Sequence, residues 1–209
     1  MKIMNFKTAP RPFAFLVAVG LGLLALAGCS MHQFYANYYV DPKPPKTTYA
    51  DLKPVAHPQP VYLVFDMYSA EGSFPEATRK LGPRIVRVLE DSRLFSSVSK
   101  VGSENMARIQ VSMRETAVLT GQDAKLLPDG LTSGLQGSRG VIVYQFNASY
   151  QPPGKEAVKK AYPHAVHIVE GDSPALVDAT PMTGSHAVDA MVEEVMLRFL
   201  HDLQKEGKL

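Results

Sequence analysis

Residues 141–150 read VIVYQFNASY, and this stretch decides the fold class. Every second side chain from Ile142 to Tyr150 is apolar or small, so these side chains share one face when the chain is extended. Glycine at 140 and the run Gln-Pro-Pro-Gly at 151–154 bound the stretch on its two sides. The pattern predicts a β-strand with one buried face.

Four further stretches have the length and composition of strands. Val61–Phe65 is a short apolar run that predicts a buried strand. Residues 108–114 alternate strictly between polar and apolar, which predicts a strand with one wet face that carries Arg108 and Arg114. Two shorter candidates, read from composition, are 94–101 and 165–169.

Two stretches have helical periodicity. From Ala77 to Leu89, apolar residues recur at four-residue steps, and we expect Gly82-Pro83 to kink this helix. From Val188 to Leu203, an apolar stripe has acidic residues early and basic residues late, as the helix dipole favours. Thr183 or Ser185 can supply the cap of this second helix.

The order of these elements predicts an α+β fold. We expect a mainly antiparallel sheet of about five strands, with two helices packed on one face. Glycines and a proline in 117–140 predict a loop about 24 residues long, and loops of this length are often functional or disordered.

The first 28 residues have the pattern of a secretion signal. Three basic residues and no acidic residue precede an uncharged apolar run from Phe13 to Leu26. The run holds about 15 residues, fewer than the roughly 20 that a spanning helix needs, so cleavage is favoured over a permanent membrane helix.

Leu26-Ala27-Gly28-Cys29 at the end of this signal resembles the lipobox of bacterial lipoproteins. The resemblance implies cleavage between Gly28 and Cys29, a diacylglyceryl group on the cysteine sulfur, and an acyl chain on the new amine. Cys29 is the single cysteine of the chain, which lipid attachment would explain. Ser30, where a retention aspartate is absent, implies an anchor in the outer membrane facing the periplasm.

Proline recurs between Cys29 and residue 60, so 29–60 is predicted to be an extended tether and 61–209 a single periplasmic domain. The aromatic run at 34–39 leaves two alternatives open: its rings rest at the bilayer interface, or they pack onto the domain. Without the signal, the formal charge of +2 falls to −1, because the signal carries three basic residues and no acidic one. A near-neutral chain gives no electrostatic footprint for nucleic acid.

A second resemblance lies in the stretch 61–115. A strand, a helix, the turn Leu94-Phe95-Ser96-Ser97-Val98 and an alternating strand resemble small envelope lipoproteins. The fold of these proteins is similar to the amino-terminal domain of TolB and to the curli secretion lipoprotein. The resemblance implies an accessory or assembly role in the envelope and assigns no functional residue.

The sequence holds no motif for a nucleophile, a phosphate loop or a zinc protease. His164 and His167 are three positions apart in a predicted strand, so they face opposite sides and cannot bind one ion. We therefore expect no catalytic residue, no metal and no cofactor besides the covalent lipid.

Three functions are compatible with these features. The favoured one is a non-enzymatic binding or assembly accessory whose envelope partner contacts Arg108, Arg114, Asp129 and Arg139. The alternative is a small-ligand or lipid carrier, or an accessory subunit of a transport system, with Tyr144, Phe146 and Tyr150 lining a groove. An envelope hydrolase has the least support, because no nucleophile and base are paired in the sequence.

Overall fold

The computed structural model describes residues 36–120, 140–170 and 179–209, and within them seven strands form one sheet. The signal, Cys29, and the predicted contacts Asp129 and Arg139 lie outside the described residues. The strands are β1 (Ala36–Val40), β2 (Gln59–Ser69), β3 (Gly72–Ser73), β4 (Phe95–Ser99), β5 (Ala107–Thr120), β6 (Gly140–Gln151) and β7 (Val158–Glu170). The helices are α1 (Pro75–Asp91) and α2 (Gly184–Lys205), and a 3-10 turn spans Tyr49–Asp51.

The strand order is β1-β7-β6-β5-β2-β3, and β4 also pairs with β2. Strand β2 runs parallel to both β4 and β5, whereas the other four pairings are antiparallel. The prediction of a mainly antiparallel α+β sheet is therefore confirmed, while the strand count of about five is too low. The count is low because β1 and the two-residue strand β3 carry little periodicity of their own.

One core lies between the sheet and both helices. It contains the odd-numbered side chains of β2 from Val61 to Met67, those of β5 from Ala107 to Met113, and the even-numbered ones of β6 from Tyr144 to Tyr150. From the helices it takes one stripe of each, including Ile85 of α1 and Phe199 of α2. Helix α1 continues through Pro83 without a break, and Thr183 caps α2 by accepting a hydrogen bond from the His186 N–H.

The predicted tether through residue 60 is wrong over its described part. Strand β1 pairs with β7 in register from Ala36 opposite Glu170 to Val40 opposite Val166. Tyr39 is buried, and Tyr38 packs against the core, so these two rings belong to the domain. Five of the six prolines of the predicted tether lie in the connection between β1 and β2, and the sixth, Pro60, lies in β2, so they do not separate β1 from the fold.

Two of the predicted strands are also shorter than the strands in the structure. Strand β5 reaches Thr120 after a bulge between Glu115 and Ala117, so residues 117–120, predicted to be loop, are part of a strand. Strand β7 passes through Pro163, which was expected to precede it. Strand β1 covers β7 only from Val166 onward, so Pro163 lies where the outer edge of β7 has no described strand partner, and proline is tolerated at such edges.

Candidate functional site

The face of the sheet opposite the helices carries polar side chains in rows that run across the strands. We call this surface the helix-free face. Its rows are Tyr62–Arg108–Gln151, Val64–Gln110–Ser149–Lys159, Asp66–Ser112–Asn147–Ala161 and Tyr68–Arg114–Gln145–Pro163. Three of its four charged side chains are basic, so the surface favours a partner with negative charge.

The two predicted contact residues of β5 both lie on this face. Arg114 is exposed, and its guanidinium carbon lies 4.7 Å from the centre of the Tyr68 ring. Stacking of this kind holds the arginine in place while its N–H groups remain available to a carboxylate. Arginine and tyrosine are also the residue types that most often dominate binding energy in protein interfaces.

Arg108 is more enclosed than Arg114. Its Nη2 donates to Gln110 Oε1 at 2.8 Å, and its Nε is buried. Beside it, Gly102 lies so close to the Tyr62 ring that a Cβ there would come within 2.8 Å of the ring carbons. Arg108 and Arg114 are six positions apart, about 20 Å along an extended strand. The structure therefore places both arginines on one face but leaves the Arg114 end more accessible.

Farther along the same face, the surface becomes apolar. Val141, Val143 and Ala165 are buried there, and Ala117 and Leu119 pack against them. The sequence contains the signal for this cluster, because residues 141–144 are apolar at every position rather than at alternate ones. A continuous apolar run is typical of a strand that is covered on both faces.

A second feature, which the sequence did not indicate, is a cluster of ionisable side chains around β7. We call Asp41, Lys43, His164, His167 and Glu194 the buried polar cluster. Asp41, His164 and His167 are each exposed by 2% or less. Their partners come from the end of β1, from β7 and from α2, so no local sequence pattern joins them.

The two histidines of this cluster lie on opposite faces of β7, as their spacing predicted. The Ala165 N–H donates to His164 Nδ1 at 2.9 Å, which leaves the ring proton on Nε2, 3.4 Å from Glu194 Oε2. His167 Nε2 lies 4.0 Å from Asp41 Oδ1, too far for a hydrogen bond. Within residues 36–120, 140–170 and 179–209, no three such groups have metal-binding geometry.

Burial dominates the electrostatics of the cluster. It raises the pKa of Asp41 above 3.8, against the opposing effect of the hydrogen bond from the Lys43 N–H. It also lowers the pKa of His167 to about 4, and the charges of His164 and Lys43 act in the same direction. Asp41, His164 and His167 therefore offer almost no surface to a substrate. Asp41 and Glu194 border a cavity of about 70 Å³, which is far smaller than a typical small-molecule site.

The aromatic residues proposed to line a ligand groove pack instead in the core. Phe146 has no exposed surface, and Tyr144 and Tyr150 are each 4% exposed. Tyr150 borders a cavity of about 140 Å³ that also contacts Phe95 and Lys155. That volume is below the roughly 300–1,000 Å³ of typical small-molecule sites.

No protein-family model matches the sequence, and no curated protein is similar to it at a significant level. Among solved structures, the fold is similar to a minor lipoprotein from Acinetobacter baumannii, with a TM-score of 0.39 and 8% identity over 71% of this chain and 94% of that one. Rare lipoprotein B from Shewanella oneidensis has a TM-score of 0.32 and 16% identity over 70% and 92%. The PelC dodecamer from Paraburkholderia phytofirmans has a TM-score of 0.34 and 11% identity over 80% and 98%. Similarities this distant carry no argument about function.

Among the described helices, none has both the length and the apolar character that crossing a membrane requires.

Proposed function

We propose that this chain is a lipid-anchored, non-enzymatic binding or assembly accessory of the cell envelope. Its partner is a protein that contacts the helix-free face. The observation that carries the proposal is the row of Tyr68 and Arg114, in which an exposed guanidinium is stacked on a half-buried ring. Most of the charged side chains on this face are basic, so the face suits an acidic patch on the partner.

Membrane attachment in this proposal rests on Cys29. Its thiol carries the diacylglyceryl group and its amine the acyl chain, and Ser30 favours the outer membrane, facing the periplasm. Two or more acyl chains are needed for stable anchoring, because each buried methylene contributes only about 0.8 kcal/mol. The anchor raises the local concentration of the domain at the membrane, so a weak contact through the helix-free face suffices.

The arrangement of the titratable groups supports binding rather than catalysis. A general acid or base must come within hydrogen-bonding distance of the reacting group. Asp41, His164 and His167 are buried, with His164 on the side of β7 that faces α2 and His167 on the opposite side, which fits a role in holding β1, β7 and α2 together.

Crosslinking in cells that express the tagged full-length chain tests this proposal. Arg114→Glu reverses the exposed charge on the face and should reduce the yield of one dominant crosslinked partner by about tenfold. Lys205→Glu makes the same change of charge at an exposed position of α2 and should leave the yield unchanged. Equal yields from both variants would exclude the helix-free face as the contact.

The same samples test the anchor. Mass spectrometry of the amino-terminal peptide should detect an acylated Cys29, and a Cys29→Ala control should remain in the soluble fraction. An unmodified amino terminus in the full-length chain would contradict lipid attachment, whatever the crosslinking result.

A further inference from the structure

The outer edge of β2 is only partly covered. Strand β4 pairs with its first half, from Gln59 to Tyr62, and β3 pairs with its last two residues, Tyr68 and Ser69. Between these two pairings, no described strand lies beside this edge. Such an open stretch exposes backbone groups that can pair with another chain.

The backbone of Met67 shows which groups face this gap. The Met67 N–H donates to Thr78 Oγ1 at 2.8 Å, and its C=O accepts from the Phe74 N–H at 2.8 Å. Backbone groups of alternate residues point to the same edge of a strand. The N–H and C=O of Phe65 therefore point to this edge too, and no described group occupies them.

A cavity of about 250 Å³ lies at this gap, and we call it the notch. Its apolar lining residues are Leu63, Phe65 and Pro83. Gly82 of α1 also lines it and contributes no side chain. The volume is several times the roughly 30 Å³ that a water molecule takes up in the liquid, so the notch holds side-chain-sized groups. Helix α1 thus borders a space that the described side chains leave open.

Three features give the notch a chemical preference. Among the described residues that line it, the charged ones are Arg79 and Lys100, both exposed, and none is acidic. Pro83 has no N–H, so the C=O of Arg79, one turn earlier in α1, lacks its helical donor and can accept from a ligand. The notch therefore offers two cations, a backbone acceptor on the helix and a backbone donor on the strand.

Exposed apolar side chains lie in the segments that also supply residues to the notch. The large hydrophobic residues that are exposed in the described part of the chain are Phe74, Val101 and Val118. Phe74 accepts the backbone hydrogen bond of the notch residue Thr78 and is 42% exposed, and Val101 follows Lys100 and is 78% exposed. Two cations, a free strand edge and exposed apolar side chains in the adjoining segments suit a peptide better than a small free anion.

We infer that the notch binds an extended acidic segment of a partner protein. The segment pairs its backbone with Phe65 at the open edge of β2. One of its carboxylates lies beside Arg79 and Lys100, and its apolar side chains contact Phe74 and Val101. This contact is separate from the helix-free face, because it uses the edge of the sheet and not its surface.

The test measures binding of a fluorescent hexapeptide that alternates glutamate with valine to the full-length chain in detergent. Gly82→Leu fills the notch, since a Cβ at Gly82 would meet only Phe65 Cδ1, at 3.9 Å. Leucine is also a better helix former than glycine, so this variant should fold. It should weaken peptide binding by at least about tenfold, whereas Gly82→Ala should change it by less than about threefold.

The second part of the binding test reverses charges in the notch. The double variant Arg79→Glu with Lys100→Glu should weaken binding about tenfold or more, because like charges then face the carboxylates. Arg87→Glu, an exposed position of α1 that does not line the notch, should bind as the wild type does. In the wild type, the amide of Phe65 should exchange more slowly with solvent when the peptide is bound.

Several results would overturn the inference. These are no binding at millimolar peptide, equal binding by Gly82→Leu and wild type, or equal loss in Arg87→Glu and the double variant. Equal binding of a lysine–valine peptide would also overturn it. Displacement by the same concentration of inorganic phosphate as of acidic peptide would show a general anion site. None of these results depends on Arg114, so failure here is distinguishable from failure of the helix-free face.

Discussion

The centre and one edge of this sheet bury different kinds of side chain. In β2, β5 and β6, the side chains that face the core are apolar or aromatic. Around β1, β7 and the middle of α2, the fold instead encloses Asp41, His164 and His167. The central strands therefore owe their stability to buried apolar area, which does not depend on pH. The edge depends on which of its groups carry a proton.

The largest effect is expected at the centre. Phe146→Ala removes a ring with no exposed surface and should lower the free energy of unfolding by about 3–5 kcal/mol. Denaturant unfolding at neutral pH measures this loss. Asn147→Ala, the exposed next residue on β6, should change stability by less than about 0.5 kcal/mol. Similar losses in the two variants would mean that β6 does not bury one face as described.

At the edge, the main effect should appear on acidification. The pKa of His167 is lowered to about 4 from 6.5, so the unfolded chain binds a proton at this residue more readily than the folded chain. The contribution of His167 to the free energy of unfolding is complete above pH 6.5 and is lost as the pH falls towards 4. The total loss is on the order of 3 kcal/mol.

The groups that act on His167 are Asp41 and Lys43 from the segment that follows β1, and the charge of His164 from its own strand. Replacing His167 with glutamine should flatten the stability profile between pH 6.5 and 4. Replacing the exposed His186 with glutamine should keep the slope of the wild type. An unchanged slope in His167→Gln would show that another group controls acid unfolding.

Asp41 should change the pH dependence of stability in the direction opposite to His167, and by a smaller amount. Burial raises its pKa, so the folded state favours the protonated acid, and this residue destabilises the fold at neutral pH. That cost disappears as the pH falls through the raised pKa towards 3.8. Asp41→Asn keeps an oxygen for the Lys43 N–H, which donates to Asp41 Oδ1 at 3.1 Å, and removes the charge.

We therefore expect Asp41→Asn to be more stable than the wild type at pH 7 and to lose this advantage near pH 4. Thermal unfolding at a series of pH values measures the difference. A variant less stable than the wild type at neutral pH would mean that the attraction of Asp41 for Lys43 and His164 outweighs its burial.

The same contrast explains what the sequence could predict. Alternation in β5 and β6 and the stripes of both helices are local patterns that match large buried surfaces, so these elements were predicted. Strand β1 was interpreted as tether because it is short, and its partner β7 lies about 130 residues later in the chain. Pro163 made the predicted β7 too short. A strand tolerates proline where its edge has no partner, and here that depends on where β1 ends.

The functional surfaces divide in the same way. Arg108 and Arg114 were placed on one wet face by alternation alone, and the structure agrees. The buried polar cluster joins residues from three elements, and the notch depends on where β3 and β4 stop along β2. Neither arrangement has a local pattern that a sequence could display.

The smallest effect should come from the contact that links the helix above the centre to the helix above the edge. Arg84 of α1 and Glu193 of α2 form an ion pair, with side chains 27% and 28% exposed. A double-mutant cycle with Arg84→Ala and Glu193→Ala should give a coupling of about 0.5–1 kcal/mol that decreases at high salt. The Glu76–Lys80 pair within α1, which is more exposed, should give about 0.3–0.5 kcal/mol. If the interhelical pair couples no more strongly than the pair within α1, its lower exposure adds nothing to its strength, and apolar contacts are then the main link between the helix above the centre and the helix above the edge.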